Sequence, residues 1–174
     1  MKTTFMKRLI VCLALAVTIP VGLVSAQSTF QAFLSGLGEN PPNASPGTGF
    51  GTVVLNAAQT QITVDENWSG LLAPATASHI HGPGGAGTNA AVIFPFSGVP
   101  AATSGAIPEQ VFSITAAQVA MLFSGYLYMN VHTSVFPGGE IRGQLLLVPE
   151  PSSIALLSLG GIPFAFRLLR KRRA

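Results

Sequence analysis

Thiols and charges are both scarce in this chain. Cys12 is the sole cysteine among 174 residues, and it sits in an apolar stretch near the N-terminus. Removal of that stretch leaves no disulfide and no thiolate chemistry, even in a compartment that permits disulfides. Charged residues make up only 9%. The net charge of +3 would suit a nucleic-acid or membrane-surface binder, but its distribution argues otherwise. Lys2, Lys7 and Arg8 open the chain, and Arg167, Arg170, Lys171, Arg172 and Arg173 close it. Residues 27–147 contain no lysine and one arginine, Arg142, against Glu39, Asp65, Glu66, Glu109 and Glu140. One cation against five acids gives that segment a net charge of about −4. This excludes a nucleic-acid footprint.

Several catalytic signatures are also missing. No Gly-x-Ser-x-Gly elbow occurs. The glycine-rich stretch at 82–87 has no following lysine and opens no expected helix, so it is not a phosphate loop. Asp65 and Glu66 are adjacent and point to opposite faces of a strand, so they cannot act as a carboxylate pair. Ser104 and Ser124 have no histidine near them in sequence. Asn43-Ala44-Ser45 and Asn67-Trp68-Ser69 fit a glycosylation acceptor pattern that a bacterial setting leaves unused.

The ends of the chain read as addresses. Lys2, Lys7 and Arg8 precede an apolar run at 9–17, and Val24-Ser25-Ala26 supplies small residues for cleavage before Gln27. This is the three-part pattern of a secretory signal peptide over 1–26, with an N-terminal membrane anchor as the alternative. Val11 before Cys12 is unsuited to lipidation. At the other end, the apolar stretch 152–166 is 15 residues long. A helix of that length reaches roughly 22 Å, against a bilayer core of roughly 30 Å. Snorkelling of Arg167 and Arg170 closes the gap, and the basic tail predicts a cytoplasmic C-terminus. Val148-Pro149-Glu150-Pro151, the apolar stretch and the arginine-rich end resemble a PEP-CTERM sorting signal over 148–174, with Pro149, Glu150 and Pro151 as its motif. The resemblance implies export across the inner membrane of a two-membrane bacterium that makes extracellular polysaccharide. It also implies processing there by an exosortase, and display at the cell surface or release. An ordinary tail anchor is the alternative.

At this length one domain is expected, over 27–147. Short apolar runs between Gly, Pro and Asn turn signals point to an all-β sandwich or barrel. Strands are expected at 29–34, 50–55, 61–68, 77–81, 91–96 and 111–114, with a final pair at 126–133 and 140–148. Residues 36–49 read as a loop. Ile62, Val64 and Trp68 share one face, and Glu66 falls on it too; that acid is expected where the strand leaves the core. One short helix near 115–123 is expected, with Thr115 as N-cap and Gly125 beyond its end. Apolar helices are expected at both ends of the chain.

Six stretches of this segment resemble the CHRD domain. They are Phe33-Leu34-Ser35-Gly36, Glu39-Asn40-Pro41-Pro42, Gly47-Thr48-Gly49, Ser78-His79-Ile80-His81-Gly82-Pro83, Met129-Asn130-Val131-His132-Thr133 and Pro137-Gly138-Gly139-Glu140-Ile141-Arg142-Gly143-Gln144. Asn40 stands where the family pattern has valine, and Val135-Phe136 is an insert. The resemblance implies an immunoglobulin-like or related Greek-key β-sandwich and no settled activity.

All three histidines fall in two of these stretches. His79 and His81 are two apart on an expected strand and share a face. His132 alternates with Asn130, Tyr128 and Tyr126, and Glu140 alternates with Arg142 and Gln144. If the last two strands pair, His132 and Glu140 come close. His79, His81 and His132, with Glu140 as fourth ligand or supporting carboxylate, are a Zn²⁺ or Cu²⁺ ligand set by type. Two structural readings compete: histidines bonded to backbone carbonyls, and a Glu140–Arg142 ion pair. Trp68, Tyr126 and Tyr128 are either sugar-stacking surfaces or core aromatics. The reading favoured by the sequence is an exported, surface-sorted, non-catalytic β-module. Its role would be interaction or structure in the envelope or matrix, with polysaccharide or a surface protein as partner. A His-ligated metal-binding domain or metalloenzyme is the alternative.

Overall fold

The computed structural model describes residues 27–149. The signal-peptide reading up to Ala26, Glu150 and Pro151 of the sorting motif, and both expected terminal helices lie outside the described residues. Ten antiparallel strands form one sheet. They are β1 (Ser28–Ser35), β2 (Thr48–Leu55), β3 (Gln61–Ser69), β4 (Ala75–His81), β5 (Val92–Pro95), β6 (Gly105–Ala106), β7 (Gln110–Ser113), β8 (Tyr128–Thr133), β9 (Ile141–Gln144) and β10 (Leu146–Leu147). The order is β5-β4-β8-β9-β1-β2-β3-β6, with β7 also on β3 and β10 also on β1. One helix, α1 (Ala116–Phe123), lies between β7 and β8. No helix among the described residues is long and apolar enough to cross a membrane.

The all-β expectation with one helix holds, but the layering differs from two separate sheets. The sheet curls into a half-barrel, and β9 and β1 are hydrogen-bonded neighbours that keep its two wings continuous. Small residues on β2 permit the curl. A Cβ at Gly51 would run into Met129 Sδ of β8, and one at Gly49 would stand 3.0 Å from Ile141 Cδ1 of β9. The β8–β9 wing therefore folds down onto the backbone of β2. Phe30, Leu34, Val53, Val64, Ile80, Met129, Val131 and Ile141 fill the enclosed space.

Local chemistry accounts for the elements. The inward residues of β3 alternate as Ile62, Val64, Glu66 and Trp68, all buried. The strand does not leave the core at Glu66, as the sequence reading expected. Pairing with β2 continues to Thr48↔Ser69, and the carboxyl is only 2% exposed. Helix α1 begins with a capping box: the Gln118 backbone N–H donates to Thr115 Oγ1 at 3.3 Å, and the Thr115 N–H donates to Gln118 Oε1 at 2.9 Å. Gly125, at φ +69°, turns the chain out of the helix. The expected last strand is broken at Leu145, whose N–H bonds Leu127 O and whose side chain is buried. Beyond that break, β10 stays beside β1, pairing further along it as Phe30↔Leu147.

Candidate functional site

Two strands place the histidines. On β4, His79 and His81 face one side while Ser78 and Ile80 face the core. On β8, Tyr128, Asn130 and His132 face the same side as the histidines. The register sets His79 opposite Asn130 and His81 opposite Tyr128, so His132 lies diagonal to His79. One nitrogen from each of His79, His81 and His132 lies within 4.8 Å of the others. His79 Nδ1 and His132 Nε2 are 3.1 Å apart. Tetrahedral nitrogens bound to Zn²⁺ at about 2.0–2.1 Å stand about 3.3 Å from one another, so the spacing suits a shared ion.

Backbone carbonyls orient two of the rings. His81 Nδ1 is 2.9 Å from Ala90 O, and His132 Nδ1 is 2.9 Å from Pro137 O. Each Nδ1 therefore carries the proton and donates it, which leaves both Nε2 atoms as lone-pair acceptors. This is the arrangement by which carbonyls orient metal-ligating histidines. The His81 ring also stacks on Tyr128, with centroids 4.9 Å apart. Burial holds His79 down to about pH 4, with the neighbouring His132 and His81 adding to the effect. Burial likewise depresses His81 and His132, against the carbonyl bond that each makes. All three imidazoles are thus neutral at physiological pH, the form that binds metal.

Poorly satisfied acceptors adjoin these rings. His81 Nε2, Asn130 Oδ1 and Glu39 Oε1 are buried and make no hydrogen bond of good geometry among the described residues, although Asn130 lies close enough to Glu39 and to His81 to act on both. Buried acceptors left this way are costly, and a cation or a bound donor would satisfy them. Glu39 reaches Asn130 because Gly139, at φ +132°, leaves no Cβ in the space that Glu39 Oε1 and Asn130 Nδ2 occupy. Burial raises Glu39 to about 7, with Arg142 pulling the other way. Beside Glu39 a cleft of about 480 Å³ opens between Asn89 and the Pro137–Gly139 turn.

Glu140 does not join the histidines. Its Oε1 accepts from Ser45 Oγ at 2.6 Å and from the Leu72 N–H at 2.7 Å, and its Oε2 accepts from Thr133 Oγ1 at 2.6 Å. Thr133 is on the opposite face of β8 from His132, so this carboxylate is turned away from the ligand set. Nor do Glu140 and Arg142 pair. Arg142 donates to Asn89 Oδ1, Gly85 O and Thr88 O, and its Cζ lies 3.4 Å from the Tyr128 ring centroid. Arg142 thus fastens the loop that carries Ala90, the carbonyl partner of His81. Trp68 and Tyr128 are buried, whereas Tyr126 is half exposed. Asn130 and Glu39 were not singled out from sequence. The alternation of Asn130 with His132 is a usable signal; Glu39 has no periodicity to mark it, only its place in the Glu39-Asn40-Pro41-Pro42 stretch.

Ser78, on the core side of the same strand, contacts Glu66 and stands 2.8 Å from Asn130 O. A single hydroxyl hydrogen cannot serve both. Burial raises Glu66 to about 8. The protonated carboxyl then donates to Ser78 Oγ, which passes its own hydrogen to the carbonyl of Asn130. This chain ties β3, β4 and β8 together directly beneath the histidines.

The CHRD domain profile matches residues 30–145, and the profile of the PEP-CTERM protein-sorting motif matches residues 147–173. No curated protein and no solved structure matches the chain.

Proposed function

Because the chain belongs to the CHRD domain family and carries a PEP-CTERM sorting signal that exosortase processes, we propose that it is an exported surface module holding one Zn²⁺ or Cu²⁺ ion on His79, His81 and His132. The observation that carries this reading is the convergence of three neutral imidazoles, two of them with tautomers set by backbone carbonyls. Three protein ligands leave a position open to water or to a group from a partner. The role is binding or structural rather than catalytic, and the partner in the envelope is polysaccharide or a surface protein. Elemental analysis of the purified protein, with melting curves in Zn²⁺, Cu²⁺ and chelator, tests it. One equivalent of metal and a melting temperature that rises with metal and falls with chelator are expected. Absence of metal together with unchanged melting would instead support a second reading. In that reading the bonds to Ala90 O and Pro137 O make the histidines clamps for their loops.

A further inference from the structure

An apolar groove lies where the described chain ends. It has a volume of about 330 Å³ and is lined by Phe33, Leu146, Leu147, Val148 and Pro149, with Gln31 and Gln144 and no charged residue among the described residues. Phe33 is 76% exposed and Leu146 59% exposed, and the Phe33 ring continues the surface onto Phe50 at 5.2 Å. One exposed aromatic is ordinary, but here the exposed side chains of Phe33, Leu146 and Leu147 line one groove.

The position of the groove identifies its occupant. Pro149 is its rim, and only Glu150 and Pro151 separate it from the apolar stretch 152–166. Two residues span at most roughly 7 Å. With that run seated in the bilayer, the groove is confined to the neighbourhood of the headgroups. Among the described residues the lining carries no carboxylate, although Glu150 follows the rim in sequence and the domain as a whole is acidic. We propose that, before processing, the face around Phe33, Leu146 and Val148 rests on the bilayer interface and sets the orientation in which the sorting motif is presented. This inference depends on the reading of residues 152–166 as membrane-seated.

The test uses the full chain with Cys12→Ser, in vesicles of phosphatidylethanolamine and phosphatidylglycerol whose acyl chains are brominated near the headgroup. A single bimane-labelled cysteine is introduced as Phe33→Cys, as Val135→Cys in the turn at the far end of the β8–β9 pair, or as Leu157→Cys in the apolar run. Loss of emission at 33 and 157, with none at 135, is the expected result. Loss at 157 alone would overturn the docking face and leave the sorting reading intact. No loss at 157 would overturn both. Emission at 33 that is insensitive to bromine but falls with rising protein density would point to a second copy as occupant, and would also overturn the proposal.

Discussion

His79 Nδ1 lies 3.1 Å from His132 Nε2, across neighbouring strands and in diagonal register. Without metal, one proton shared between these nitrogens holds the rings together. With metal, His79 would take its other tautomer, its proton moving from Nδ1 to Nε2, and both lone pairs would be free for the ion. Replacing either histidine by alanine therefore removes a ligand outright. Metal affinity is expected to fall by more than the about 10–100-fold that loss of a supporting outer partner costs. Metal titration calorimetry on each variant, with circular dichroism to confirm the fold, measures this.

The same histidines set an acid limit. Their folded pKa values lie below the usual 6.5, with His79 at about 4. The unfolded chain then takes up protons before the folded one, so stability falls as pH drops from about 6.5 through about 4. Metal deepens the fall, since protons compete for the ligands. Melting temperature against pH checks it, and His79→Gln should flatten the acid side of the metal-free profile.

Glu66 acts in the opposite sense. Its folded pKa of about 8 lies above the ordinary 4.5, so the folded state keeps a proton that the unfolded state has released. Its contribution is complete below about 4.5 and is lost as pH rises to about 8. Glu66→Gln retains a donor toward Ser78 and carries no charge. The variant is expected to lose less stability than wild type between pH 5 and 8 (roughly the window between the two pKa values). Denaturant unfolding at several pH values would show the difference.

Glu140→Ala separates fastening from ligation. It strands the buried Thr133 hydroxyl, at about 1–3 kcal/mol for a donor left buried, and takes the acceptor from the part-buried Ser45 hydroxyl and Leu72 N–H. Stability is expected to fall by about 1–3 kcal/mol, while metal affinity at the histidines stays unchanged. A large loss of affinity in a folded variant would return Glu140 to the ligand set.

The legible parts of the fold and site are those that depend on period and local chemistry. His79 and His81 share a face because a strand alternates, and Thr115 caps α1 because a threonine three residues before Gln118 completes a box. The parity argument failed at Glu140. It takes the last strand to begin at Glu140, but regular pairing stops at Val131↔Ile141, and Gly139 turns the chain so that the carboxylate emerges beside Thr133. Glu66 misled for a different reason. A carboxyl on an apolar face reads as an edge, whereas Ser78, distant in sequence, supplies the partner that lets it stay inside. The single curled sheet depends on β9 lying beside β1 and on Gly51 admitting Met129, and both are long-range relationships without a local signature.

The pairing of β10 with β1 has a consequence for how the molecule is made. Val148 N donates to Thr29 O at 2.8 Å, so the first and last segments of the domain are clasped side by side. A chain delivered from its N-terminus holds β1 unclasped on that side until residue 148 has emerged. The domain thus completes itself only at the close of delivery. Cleavage after that point leaves the clasp whole, whereas cleavage before Leu146 removes one of its halves.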